Sequence, residues 1–283
     1  MIETRFSRHE ALIGKQGQEL IQRAKVAIVG LGGTGSHVNQ QLAYLGISDF
    51  TLIDNDDADI TSLNRLIGME NDDVGKAKVE LAARLIRRIQ PTATILAIKQ
   101  SVRTQEALDA LKKADIVFGC VDNDGIRFIL NEFCVAYEKP YLDIATDTED
   151  GVGGRLVFTF NDLSCLYCLN ELSQKDIRGE LASEQERQEH ERLYGVALDQ
   201  LGVTGPSVVS LNGILASLAV TEFLNYITGL RVPNRYLCYR GNTGIVTRSS
   251  DEPGKRCPYC QELRGKKHLA NIERYIDLVS ENA

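Results

Sequence analysis

From Lys25 onward, short apolar runs alternate with amphipathic stretches. Lys25-Val-Ala-Ile-Val-Gly30 reads as a buried strand and Thr34 to Leu45 as the helix after it. Phe50 to Asp54 reads as strand, Lys76 to Ile89 as helix and Thr94 to Ile98 as strand. Gln105 to Lys112 follows as helix, Asp115 to Cys120 as strand, Arg127 to Tyr137 as helix and Pro140 to Ala145 as strand. Strands separated by helices of this length predict βαβ units and a mainly parallel sheet, with every strand opening on one edge. The expectation is a doubly wound, Rossmann-like α/β fold with antiparallel strands appended.

The texture changes after Gly151. Arg155 to Phe160 reads as strand. Glu171 to Gln200 is densely charged and reads as a solvated helix or loop. Gly205-Pro206 opens an apolar helix that ends near Thr228-Gly229. Two short strands, Tyr236 to Arg240 and Gly244 to Arg248, flank a Gly-Asn-Thr-Gly turn. Leu269, Ile272, Tyr275, Ile276 and Val279 fall at helical spacing and predict a tail packed on the body or a partner. The division expected is one domain: an N-terminal helical arm (1–24), a nucleotide-binding half (25–150), a crossover with strands and a metal site (151–264) and a C-terminal helix (265–283).

Hydrophobic residues make up 43% of the 283 and charged residues 25%, a globular composition. The net charge of −7 argues against nucleic acid as partner. No apolar run approaches the ~20 residues of a membrane span. The charged start lacks a signal-peptide core, so a cytoplasmic location is expected.

Gly30, Gly32, Gly33 and Gly35 lie between a predicted strand and a predicted helix. There glycines make the turn, bring phosphate to bare backbone amides and let helix and strand pack closely. Asp54, about 20 residues on, sits where a carboxylate accepts from ribose hydroxyls. An NAD-dependent oxidoreductase, an ATP user and a non-catalytic nucleotide-binding scaffold all remain open at this point.

Three further stretches separate them: Asp54-Asn-Asp56 running to Ser62-Leu-Asn64-Arg65, then Gly75-Lys-Ala-Lys78, then Asp122-Asn123. Cations beside a phosphate loop fit a triphosphate better than a nicotinamide, and Asp122 at a strand end is placed to hold Mg²⁺. Together with Arg5-Phe-Ser-Arg8 and the glycine loop, these motifs resemble the ThiF/MoeB/HesA family, bacterial relatives of ubiquitin-activating enzymes. The likeness runs from about Arg5 to Cys260. One departure is Ser62, where the family pattern has Asn three places before the Arg; an Asn stands instead at 64. The resemblance implies ATP-dependent adenylylation of a C-terminal carboxylate, on a ubiquitin-like or sulfur-carrier protein or a small peptide, with release of pyrophosphate. It implies Arg65 and Lys78 as cations on the phosphates, Asp122 as magnesium ligand and Asp54, Asp56, Ser62 and Asn64 as nucleotide contacts. Arg8 resembles the Arg that reaches the neighbouring subunit's phosphates, which implies a homodimer.

Of seven cysteines, four form the pairs Cys165-Leu-Tyr-Cys168 and Cys257-Pro-Tyr-Cys260, separated by 88 residues. Four thiolates complete a closed tetrahedral Zn²⁺ site of the structural kind. A disulfide is disfavoured in the expected compartment, and a thioredoxin-like redox pair needs only one motif. Cys120, Cys134 and Cys238 read as core. Thioester-forming members of the family carry a cysteine after the first pair; none occurs here between 169 and 237. The expectation is an acyl-adenylate that leaves without an enzyme thioester.

Overall fold

The structure is a computed structural model that describes residues 4–147, 152–161, 164–181, 207–249 and 257–276. Eight strands form one sheet: β1 (Lys25–Val29), β2 (Asp49–Ile53), β3 (Thr94–Ile98), β4 (Ile116–Gly119), β5 (Tyr141–Asp147), β6 (Gly153–Thr159), β7 (Tyr236–Arg240) and β8 (Ile245–Arg248). Their order is 3-2-1-4-5-6-7-8. β1 to β5 are parallel and β6 to β8 antiparallel. The doubly wound α/β reading with appended antiparallel strands therefore holds, each strand within two residues of its sequence-derived bounds.

One face of the sheet is covered by α1 (Ser7–Arg23), α2 (Gly33–Leu45), α3 (Lys78–Ile89) and α7 (Val209–Thr228), which share a core around Ile28, Phe50, Phe118 and Phe223. The other carries α4 (Gln105–Lys113), α5 (Asp124–Ala136) and α6 (Gln174–Leu181), around Val29, Phe133, Tyr141 and Leu166. Burial on both faces explains why β1 after Lys25 and β4 read as unbroken apolar runs. The strand order reverses direction between β1 and β4. Their C-terminal ends open the crevice where such sheets bind ligands. No described helix is long and apolar enough to cross a membrane.

Two elements differ from expectation. The tail is not one helix. A 3-10 turn over Lys267–Ala270 ends at Asn271, which takes a left-handed φ of 51°, and a new turn starts at Arg274. Ile272 and Tyr275 still bury against α5, whereas Leu269 is exposed. α1 breaks at Gly14 (φ 72°, ψ 166°). The charged stretch after Leu181, the Gly205-Pro206 helix opening and Val279 lie outside the described residues.

Candidate active site

β1 ends in Gly30, whose φ of 85° turns the chain into α2. Its Cα faces the Cys120 carbonyl so closely that a Cβ there would lie 2.6 Å from that oxygen. A Cβ on Gly35 would sit 1.9 Å from the Gly30 carbonyl oxygen, so strand and helix meet only because both positions are bare. Gly32 caps α2 with no side chain on the helix amides, and no atom lies within 4 Å of where its Cβ would be. The loop therefore offers free N–H donors and a positive helix end to open space, which is what a phosphate requires.

Asp54, just past β2, is buried and grips this loop from below. One carboxylate oxygen accepts from the Leu31 amide at 2.6 Å and the other from the Asp56 amide at 2.9 Å. Burial pushes its carboxyl above the usual range, opposed by Lys78 and the two amide bonds. Lys78, the first residue of α3, pairs with Asp56 at 2.6 Å. Asp56 is half exposed, whereas Lys78 is largely covered.

Arg65 follows a 3-10 turn, Ile60–Asn64, closed by a reciprocal pair of bonds between Asp59 and Ser62. Ser62 is buried and its hydroxyl is engaged with Asp59. This turn docks on α2 through the Ile67 amide, which donates to Ser36 Oγ at 3.0 Å. Arg65 itself donates to the Thr61 carbonyl and to the exposed Asn64 side chain. Asp122 is exposed, three residues beyond β4 and one before Asn123, which caps α5. Thus contacts join the glycine loop, Asp54, Asp56 and Lys78 at the C-terminal ends of β1 and β2, the Arg65 turn docks on the start of α2, and Asp122 follows the C-terminal end of β4.

Arg8 does not join them. Arg5 bonds the Ala43 carbonyl and Gln90, and Phe6 packs on Gly46, all at the ends of α2 and α3 remote from the glycine loop. Arg8, the second residue of α1 and exposed, therefore lies roughly the length of α2 away, about 20 Å, from its own chain's loop.

Asn212 of α7 was not singled out from the sequence. It is buried, accepts from Thr34 Oγ1 at 3.2 Å, and would collide with any Cβ on Gly33. It stands 178 residues from Thr34, and no local spacing announces it. Beside it His37, whose imidazole pKa burial lowers, leaves Nε2 buried without a hydrogen bond.

The four paired cysteines converge on the opposite face, with all ligand atoms within 4.8 Å of one another. Cys165 and Cys257 Sγ are 3.7 Å apart and Cys168 and Cys260 Sγ 3.9 Å. A disulfide is far shorter, whereas a zinc tetrahedron with Zn–S near 2.3 Å has edges of about 3.8 Å. These donors fit zinc. Cys120 and Cys134 are separate from the cluster, and burial pushes both thiols far up.

Residues 6–261 match the model of the ThiF family. The sulfur carrier protein ThiS adenylyltransferase of Escherichia coli K12 is 28% identical over 261 residues, covering 90% of this chain and 94% of that protein. The molybdopterin-synthase adenylyltransferase of the same organism is 30% identical over 218 residues, 77% of this chain and 78% of the relative. Among solved structures, E. coli MccB with ATP superposes with a TM-score of 0.73 at 22% identity, covering 92% of this chain and 75% of MccB.

Proposed function

The chain belongs to the ThiF family, and from that premise we propose that it uses ATP to adenylylate the C-terminal carboxylate of a ubiquitin-like or sulfur-carrier protein, or of a small peptide. The observation that carries this reading is the open, uncapped Gly32 amide end of α2 with Arg65 and Lys78 on the elements around it. The substrate carboxylate attacks the α-phosphate in line and pyrophosphate departs. Charge builds on the phosphoryl oxygens, so catalysis is positioning plus cationic stabilisation. The glycine-loop amides hold the phosphates. Arg65 swings from the Thr61 carbonyl and Lys78 from Asp56 to meet the developing charge.

Asp54 keeps the loop closed through Leu31 and has lone pairs left for ribose hydroxyls. Asp56 and Asn64, both exposed, line the nucleotide, and Ser62 acts by holding the turn that carries Arg65. Asp122, a single exposed carboxylate, would hold magnesium, which would supply neutralisation of phosphate charge. Arg8 is too far from its own loop and serves a second copy's site, so the active unit is a homodimer. Desolvation pushes the thiols of the half-buried Cys120 and the buried Cys134 far up, which makes both poor nucleophiles, and the acyl-adenylate passes to an external acceptor.

The test is ATP–pyrophosphate exchange with purified carrier proteins that end in a free Gly-Gly, and with short peptides. Exchange should require both Mg²⁺ and a free C-terminus, and Arg65→Ala should lower it about 10²-fold or more. ATP binding with no exchange toward any carboxylate would leave a nucleotide-binding scaffold instead. Reduction of bound NAD would point to the oxidoreductase.

A further inference from the structure

Five charged side chains meet beside the Asp122 turn, on the face that carries the cysteine cluster. Asp124, Arg127, Asp143, Arg155 and Glu171 each leave less than a fifth of the side chain exposed, and Asp143 is wholly buried. They form a chain of contacts. Glu171 receives Arg155 Nε at 2.7 Å, and Tyr236 donates its hydroxyl to the other Glu171 oxygen. Arg155 Nη1 reaches Asp143 at 2.6 Å, and the second Asp143 oxygen faces Arg127 Nε at 3.3 Å and accepts from Tyr141. Arg127 then donates to the Val121 carbonyl at 2.5 Å and pairs with Asp124 at 2.9 Å. The chain therefore ends on the residue preceding Asp122.

Its other end starts three residues after Cys168. The same segment is tied to α5 twice more: the Ser173 amide donates to Asp124 at 2.7 Å and the Leu166 amide to Asn131 at 2.9 Å. Burying three carboxylates and two guanidiniums is a poor way to gain stability, because desolvation consumes most of the attraction. What such a network does well is to fix one geometry, since each member needs its partner in place.

We infer that Asp143 is a positioning residue that clamps Arg127 and so sets the turn carrying Asp122, and that Glu171 makes this clamp depend on the zinc knuckle. The catalytic part of the inference rests on the reading of Asp122 given above. Metal bound at the four cysteines would then be felt at the nucleotide crevice, through ion pairs that run from Glu171 by way of β6 and β5 to the start of α5.

The experiment uses the full, zinc-loaded chain and follows amide hydrogen exchange together with Mg²⁺ titration of pyrophosphate exchange. In Asp143→Asn the amides of Val121 to Ile126 should exchange about tenfold faster, with β1 and α2 unchanged. The Mg²⁺ needed for half-maximal activity should rise severalfold at nearly constant ATP KM. Chelating zinc from the wild type should loosen the same amides, and in Glu171→Gln chelation should add little beyond the substitution itself. Unchanged turn amides in Asp143→Asn overturn the clamp. Equal loosening by chelation in wild type and Glu171→Gln overturns the route through Glu171. If Asp143→Asn fails to fold, Glu171→Gln alone decides: turn amides that match wild type with zinc bound overturn the inference. The amide readout stands even if no adenylylation is found, so the two readings fail separately.

Discussion

Gly32 and Gly33 are neighbours in the chain, yet a methyl group would meet opposite surroundings at the two. At Gly32 it enters open space where the phosphates would lie, whereas at Gly33 it strikes the buried Asn212 amide at 2.1 Å. Gly32→Ala should therefore leave stability within about 0.5 kcal/mol of wild type and weaken ATP binding. Gly33→Ala should cost about 2 kcal/mol through overpacking of α7 against α2. Denaturant unfolding paired with ATP titration separates the two effects, and equal losses of stability would contradict the assignment. The same contrast shows how far residue types speak for themselves. The glycine pattern announced a phosphate loop, but which glycine faces ligand and which faces protein depended on Asn212, far away in sequence.

At the scale of elements, the excursion between β2 and α3, which holds the Arg65 and Lys78 motifs, folds as a braced structure. Asp73 is buried, its carboxylate shared by Arg84 and Lys76, and Arg84 also reaches the Gly68 carbonyl. The guanidinium of Arg84 and the Lys76 ammonium hold the Asp73 carboxyl well below the usual carboxylate range, although burial opposes them. A carboxylate with a depressed folded pKa stabilises the fold above its unfolded pKa, about 3.9, and loses that contribution as pH falls through the folded value. Arg84→Gln should cost about 2 kcal/mol at pH 7, the partly exposed Arg moderating the loss. The gap from wild type should narrow steadily below about pH 4. Urea unfolding at pH 7, 4 and 3 checks this, and a gap that does not change with pH would remove Asp73 as its cause.

At the scale of the molecule, α1 starts at the ends of α2 and α3 remote from the glycine loop, with Arg5 just before it anchored on Ala43 and Gln90. If Arg8 serves another copy's site, as proposed above, mixing should complement. An Arg8→Ala chain and an Arg65→Ala chain, each inactive alone, should together regain about a quarter of wild-type activity, as random pairing in a two-fold dimer gives one intact site per heterodimer. Native mass spectrometry would confirm that heterodimers form. Heterodimers without activity would exclude action in trans.

By itself the sequence determined the order of strands and helices, the phosphate loop and the four cysteines. Each of these is written in local spacing: period, glycine placement, or two Cys-x-x-Cys pairs. The tail shows where local spacing fails, since its helical pattern is cut by Asn271, whose left-handed backbone no periodicity discloses. Only the tertiary structure decided that Asp73 is buried and that Asp143 joins Arg127 to Arg155. These charges look solvated in sequence because burial depends on what packs over them. The packing partners come from strands and helices tens to hundreds of residues away, brought together only when the sheet closes its two cores.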